Sequence, residues 1–145
     1  MFGMVECNPL TTPMEQNLKL TSIEGKQFED ATKYRQLVGS LNYLTTTRPK
    51  ISFIVGILSK LTQNHCEGHW SIVKRVLKYL KGTQDFGIEY TQMSDFILIG
   101  YSDSDFDGDK ETKVSTLGYV MSLGSGVVSW RSCKQSVSTN SETEE

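Results

Sequence analysis

The sequence predicts an α+β chain, three helices followed by an antiparallel β-meander, and three observations lead there. Apolar residues recur at helical spacing from Tyr34 to Leu80, the period changes from 3.6 to 2 after Gly82, and the strand-like runs that follow are joined by short turns containing Gly and Ser. With 145 residues, 37% apolar and 22% charged, there is enough to bury for one domain and too little for two large ones.

Residues 1–28 carry Pro9 and Pro13 among Thr and Asn and read as an extended lead-in that wraps another part of the molecule. A helical segment, 29–83, follows. In its first helix Tyr34, Leu37, Val38, Leu41 and Leu44 mark one face, and Asp30 stands where an N-cap carboxylate belongs. Thr45-Thr46-Thr47 weakens this helix and Arg48-Pro49 ends it, because the residue before a proline is pushed out of the helical region. The second helix, 51–61, buries Ile51, Ile54, Val55, Leu58 and Leu61, with Phe53 as a further anchor. The third, 67–81, places Trp70, Val73, Leu77 and Leu80 on an inner stripe and Lys74, Arg75, Lys78 and Lys81 on the outer side, with Gly82 as a C-cap glycine.

Residues 84–145 are expected to form the meander and a loose tail. A hairpin is predicted between 87–90 and 96–101, and a second between 115–123 and 126–132 across Gly124-Ser125. The tail from Ser132 is Ser, Thr and Glu with little to bury. A meander of this kind exposes Val120, Val128 and Trp130 unless another layer covers it.

Fifteen basic against seventeen acidic residues leave a net charge of -2, so any nucleic-acid contact must be local. The longest apolar stretch, Phe53 to Leu58, is far short of the roughly 18 to 20 residues of a membrane helix, so no membrane span is expected. The first twenty residues show no basic start followed by an apolar block, which leaves no visible cleavable signal. Cys7, Cys66 and Cys133 are an odd number at unrelated spacings, the pattern of reduced thiols rather than of a disulfide framework.

The strongest local feature is the acidic run Asp103-Ser104-Asp105-Phe106-Asp107-Gly108-Asp109-Lys110-Glu111. Its Asp and Gly spacing starts like a calcium loop, but Val114 stands where the bidentate Glu is required and a strand precedes it. His65, Cys66 and His69 are zinc-type ligands without a fourth nearby, so no metal site is expected there. The cations Lys74, Arg75, Lys78 and Lys81 suit weak, sequence-independent contact with a phosphate backbone, or an ordinary solvated face. No phosphate-cradling Gly-rich loop and no recognisable nucleophile motif is present, and Cys66 beside His65 is not a thiol catalyst, because adjacent residues rarely point at one substrate.

The strings Tyr34-Arg35-Gln36-Leu37-Val38-Gly39-Ser40-Leu41-Asn42-Tyr43-Leu44, Thr47-Arg48-Pro49, His69-Trp70, Arg75-Val76-Leu77-Lys78-Tyr79-Leu80-Lys81-Gly82-Thr83, Gly100-Tyr101-Ser102-Asp103-Ser104-Asp105, Ser115-Thr116-Leu117-Gly118-Tyr119-Val120 and Ser129-Trp130 together resemble the polyprotein of copia-type retrotransposons. Cys7-Asn8-Pro9-Leu10-Thr11-Thr12-Pro13-Met14 resembles that family's segment just beyond the reverse-transcriptase palm. The resemblance implies a helical segment following the polymerase and a truncated, ribonuclease H-like sheet. It implies that Asp103 corresponds to the first ribonuclease H carboxylate and Glu142 to the second, while the polymerase carboxylates are absent. Two carboxylates do not hold two magnesium ions, so neither nuclease nor polymerase activity is expected, and no cofactor beyond a vestigial magnesium site. As a free-standing chain it also resembles secreted oomycete effectors of the RxLR class. That implies secretion, entry into the host cell, and interference with defence or cell death through a host plant protein; otherwise the chain is expected in the cytoplasm, as an unemployed retroelement remnant or as a nucleic-acid-binding module using the basic helix 67–81. The nearest strings to the class motif, Arg35-Gln36-Leu37-Val38 and Arg75-Val76-Leu77-Lys78, fall inside the predicted helices.

Overall fold

The computed structural model describes residues 7–16, 18, 25–92, 95–105 and 116–134. The chain divides into two compact units, Met1–Gly87 and Ile88–Glu145. The α+β class is as the periodicity implies: three helices and one three-stranded antiparallel sheet.

In the first unit α1 spans Ala31–Leu44. Asp30 caps it as expected, its carboxylate accepting from the Lys33 N–H at 2.9 Å. Tyr34, Leu37, Val38 and Leu41 are buried, whereas Leu44 is exposed, because the chain turns away from the core one residue later. The three threonines close the helix actively. Their hydroxyls donate to the carbonyls of Asn42, Tyr43 and Leu44 at 2.7, 2.7 and 3.3 Å, satisfying acceptors that the last turn leaves open.

A 3-10 turn, Pro49–Ile51, leads into α2, Ser52–Lys60. Ile51, Ile54, Val55 and Leu58 are buried as expected. Phe53 is exposed and Leu61 only half-buried, since the tight first turn rotates Phe53 off the inner face and Leu61 falls just past the helix.

Helix α3 spans Glu67–Gly82. Its inner stripe is His69, Ile72, Val73, Val76 and Tyr79, while Trp70, Leu77 and Leu80 are half-buried at the flank. Of the expected stripe Trp70, Val73, Leu77 and Leu80, Val73 is fully buried and the other three sit at the flank, so the inner face is rotated by about one position. Two stripes of helical period overlap on this helix: the inner one joins the buried cluster with α1 and α2, and the flanking one packs against the edge of that cluster. Trp70 stacks on Phe28 with centroids 4.6 Å apart, and Met14 and Leu18 also pack against this core. Gly82 is the last helical residue and does not adopt the left-handed conformation of a C-cap glycine. A side chain there would meet Pro9 Cβ at 2.9 Å and the Leu10 carbonyl oxygen at 3.1 Å, so Gly82 admits a close backbone crossing. The end of α3 is capped by Arg48, whose guanidinium donates to the carbonyls of Thr83 and Gln84 at 2.7 and 3.1 Å.

In the second unit β1 (Leu98–Asp105), β2 (Thr116–Leu123) and β3 (Gly126–Lys134) pair in sequence order. The turn between β2 and β3 is at Gly124-Ser125 as predicted, with Gly124 at φ 58°, where glycine carries no steric cost. β3 runs two residues beyond the predicted Ser132, and residues 135–145 lie outside the described ones. The register sets Val127 opposite Ser122 and Ser129 opposite Met121, which leaves Val128 as the extra residue of a bulge.

The predicted first hairpin does not form. Residues 88–92 join no ladder and instead dock by side chains: the Tyr90 hydroxyl donates to the Val127 carbonyl at 2.7 Å, and Thr91 exchanges two hydrogen bonds with the Ser125 hydroxyl. β2 supplies the ladder partner that the sequence reading assigned to this segment. Gly126 is the only buried residue among those described in this unit. Pairing places Ile99, Tyr101, Val120 and Trp130 on one face and Leu98, Met121, Tyr119 and Leu123 on the other, so both faces are substantially apolar.

Candidate functional site

Asp103 lies within β1, opposite Gly118, rather than in a loop after the strand, and it is exposed. Strand alternation puts it on the face that also carries Ile99 and Tyr101. Residues 106–115, which hold the rest of the acidic run, and Glu142 lie outside the described residues. Among the described residues no three His, Cys, Asp or Glu side chains converge as a metal ion requires.

The zinc-type ligands have structural roles. His69 is the N3 residue of α3 and its Nδ1 accepts from the Cys66 N–H at 3.1 Å, with the Cys66 sulfur 3.4 Å away, so Cys66 and His69 form the reciprocal cap of the helix. His65 stacks on Tyr34 at 4.3 Å between ring centroids, and its Nδ1 lies 3.2 Å from the Thr62 carbonyl. Tyr34 is fully buried, donates its hydroxyl hydrogen to the Leu58 carbonyl at 3.2 Å, and has its phenol pushed up to about 12, by burial first and by the neighbouring Cys66 second. No disulfide joins the cysteines among the described residues.

The four cations of α3 do not form a uniform solvated face, because the lead-in crosses them. The Arg75 guanidinium donates to the Glu15 carboxylate at 2.8 Å and to the Thr12 hydroxyl at 3.2 Å. Lys81 donates to the Cys7 carbonyl at 3.0 Å, and the Leu10 N–H donates to the Lys78 carbonyl at 3.3 Å. Between lead-in and helix runs a cleft of about 450 Å³, with Lys74, Arg75 and Lys78 on one wall and Leu10, Glu15 and Leu18 among its other lining residues. Lys74 and Lys78 are half-buried and have no hydrogen bond or ion pair from their side chains among the described residues. Sequence reasoning found the cations and missed Glu15, Thr12 and Cys7. No spacing rule connects Glu15 to a residue 60 positions later.

The chain is similar to retrovirus-related Pol polyproteins of plant transposons: 43% identical over 142 residues to that of transposon RE2 of Arabidopsis thaliana, and 37% over 150 residues to that of transposon TNT 1-94 of Nicotiana tabacum. The first match covers 98% of this chain and 10% of the polyprotein, so the chain spans about a tenth of the length of such relatives. It is also 45% identical, over 113 residues, to secreted RxLR effector protein 161 of Plasmopara viticola, a match covering 77% of this chain and 80% of that protein. No protein-family model matches the chain. No solved structure matches it either.

Proposed function

Given that this chain belongs to the family of copia-type, retrovirus-related Pol polyproteins and the short proteins akin to them, we propose that residues 1–145 act as a non-catalytic structural segment: a helical joint following the polymerase, continued into the opening strands of a ribonuclease H-like unit. The observation that carries this reading is the setting of Asp103, an exposed carboxylate on the edge strand β1 with no convergent set of ligands among the described residues. In-line phosphodiester hydrolysis with two ions needs about four carboxylates from separate elements, and one strand supplies too few. Purified chain incubated with an RNA–DNA hybrid in magnesium buffer is expected to release no product above the blank, and Asp103→Asn to behave identically. Magnesium-dependent cleavage that disappears in Asp103→Asn would overturn the proposal.

A second reading, a secreted effector working inside host plant cells through a host plant protein, is favoured by the similarity to the Plasmopara viticola protein, which covers 80% of that protein. Under it the protein acts through its folded surface. The two strings nearest an Arg-x-Leu-Arg element are helical, with Leu37 3% exposed and Leu77 half-buried, so neither is available as an extended recognition segment. Expression in plant tissue together with a cell-death elicitor is expected to weaken the death response if this reading holds. An unchanged response removes it.

A further inference from the structure

The cleft between the lead-in and α3 has a charge pattern that goes beyond a structural role, and we propose that it binds a phosphate monoester carried on a small apolar group. Lys74 and Lys78 stand one helical turn apart on the same wall, half-buried and without side-chain partners among the described residues. Two ammonium groups so placed repel each other, and an anion between them relieves that repulsion. A phosphate monoester carries a charge of about -1.5 to -2 at neutral pH, which matches this pair. Leu10, Leu18 and Ile72 also line the cleft and provide apolar surface for the group bearing the phosphate.

Glu15 decides against a polyanion. A nucleic-acid strand laid along α3 would bring its next phosphate to Arg75, where the Glu15 carboxylate already sits at 2.8 Å, or to Lys81, which is held by the Cys7 carbonyl at 3.0 Å. The site therefore admits one compact dianion and repels a continued chain of phosphates. Glu15 also draws on the Arg75 charge, so it limits the affinity of the site it borders.

The test is a titration of the isotope-labelled full chain, followed by amide NMR at constant ionic strength, with inorganic phosphate, phenyl phosphate and a single-stranded oligonucleotide. Phenyl phosphate is expected to give saturable shifts across Ser71 to Lys78 and to bind about tenfold more tightly than inorganic phosphate, because its ring gains apolar burial. The double variant Lys74→Ala with Lys78→Ala is expected to weaken binding by at least about tenfold with its helical circular dichroism retained. Glu15→Gln should tighten it by about threefold, the scale of one partly exposed ion pair. The proposal is overturned by unsaturable shifts, by binding that survives in the double variant, by weaker binding in Glu15→Gln, or by an oligonucleotide that displaces phenyl phosphate at lower concentration.

Discussion

Tyr34→Ala is expected to destabilise the helical unit by about 3–5 kcal/mol, the range for removing a large buried aromatic side chain. That is a large part of the roughly 5–15 kcal/mol available to a whole domain. The side chain is fully buried, stacks on His65 at 4.3 Å, and ties α1 to α2 through the Leu58 carbonyl. Tyr34→Phe keeps the ring and loses only the hydroxyl, leaving one carbonyl less satisfied, so about 1 kcal/mol is expected. Urea unfolding followed by circular dichroism measures both, and a loss below about 1 kcal/mol for Tyr34→Ala would contradict the placement of this ring at the centre of the core.

The same residue sets an alkaline limit. Its phenol is pushed up to about 12 from the usual 10.0, so the folded unit favours the neutral form. The resulting stability is fully present below pH 10 and is lost as pH rises from 10 through 12, when the unfolded chain ionises first. In Tyr34→Phe that part of the alkaline slope should vanish, and an unchanged slope would show that Tyr34 does not govern it.

Separating the chain between Gly87 and Ile88 should give two very different products. Residues 1–87 alone are expected to melt cooperatively, close to the helical transition of the full chain, and 88–145 alone to show no cooperative transition. The first unit contains the buried cluster, including Leu41, Ile54, Leu58, Val73 and Val76. In the second, Leu98 and Tyr101 are 62% and 67% exposed, and no described side chain is buried. Hydrogen bonds between strands contribute little net stability when both faces are open to water. Hydrogen exchange in the full chain is expected to protect α1 and α3 by orders of magnitude more than β1 or β3. A sharp thermal transition in isolated 88–145 would overturn this.

What could be read directly followed from local physics. Asp30 and the spacing Tyr34, Leu37, Val38, Leu41 define α1 because a cap and a buried stripe are both properties of adjacent turns. Gly124-Ser125 defines a hairpin for the same reason. The family was legible as well, since its strings run through nearly the whole chain. Asp103 was identified by resemblance, but its place inside a paired strand was not, because an acidic run with alternating Ser reads as a loop until β2 is set beside it.

What only the tertiary structure decided concerns residues that meet across long separations. On α3 two apolar stripes compete, and the positions of α1, α2 and Phe28 determine which lies inward. Arg48 reads as the residue that breaks a helix before Pro49, yet it caps a helix ending 34 residues later. Gly82 reads as a helix stop and serves as the crossing point for Pro9 and Leu10. The sequence by itself determined the helices and hairpin turn, the family, and the presence of four cations on one helix. The fold decided that Glu15 and Cys7 engage two of those cations and leave Lys74 and Lys78 facing a cleft. Hydrophobic periodicity and capping act within a few residues, whereas charge pairing and close backbone approach depend on distances in space that no local pattern encodes.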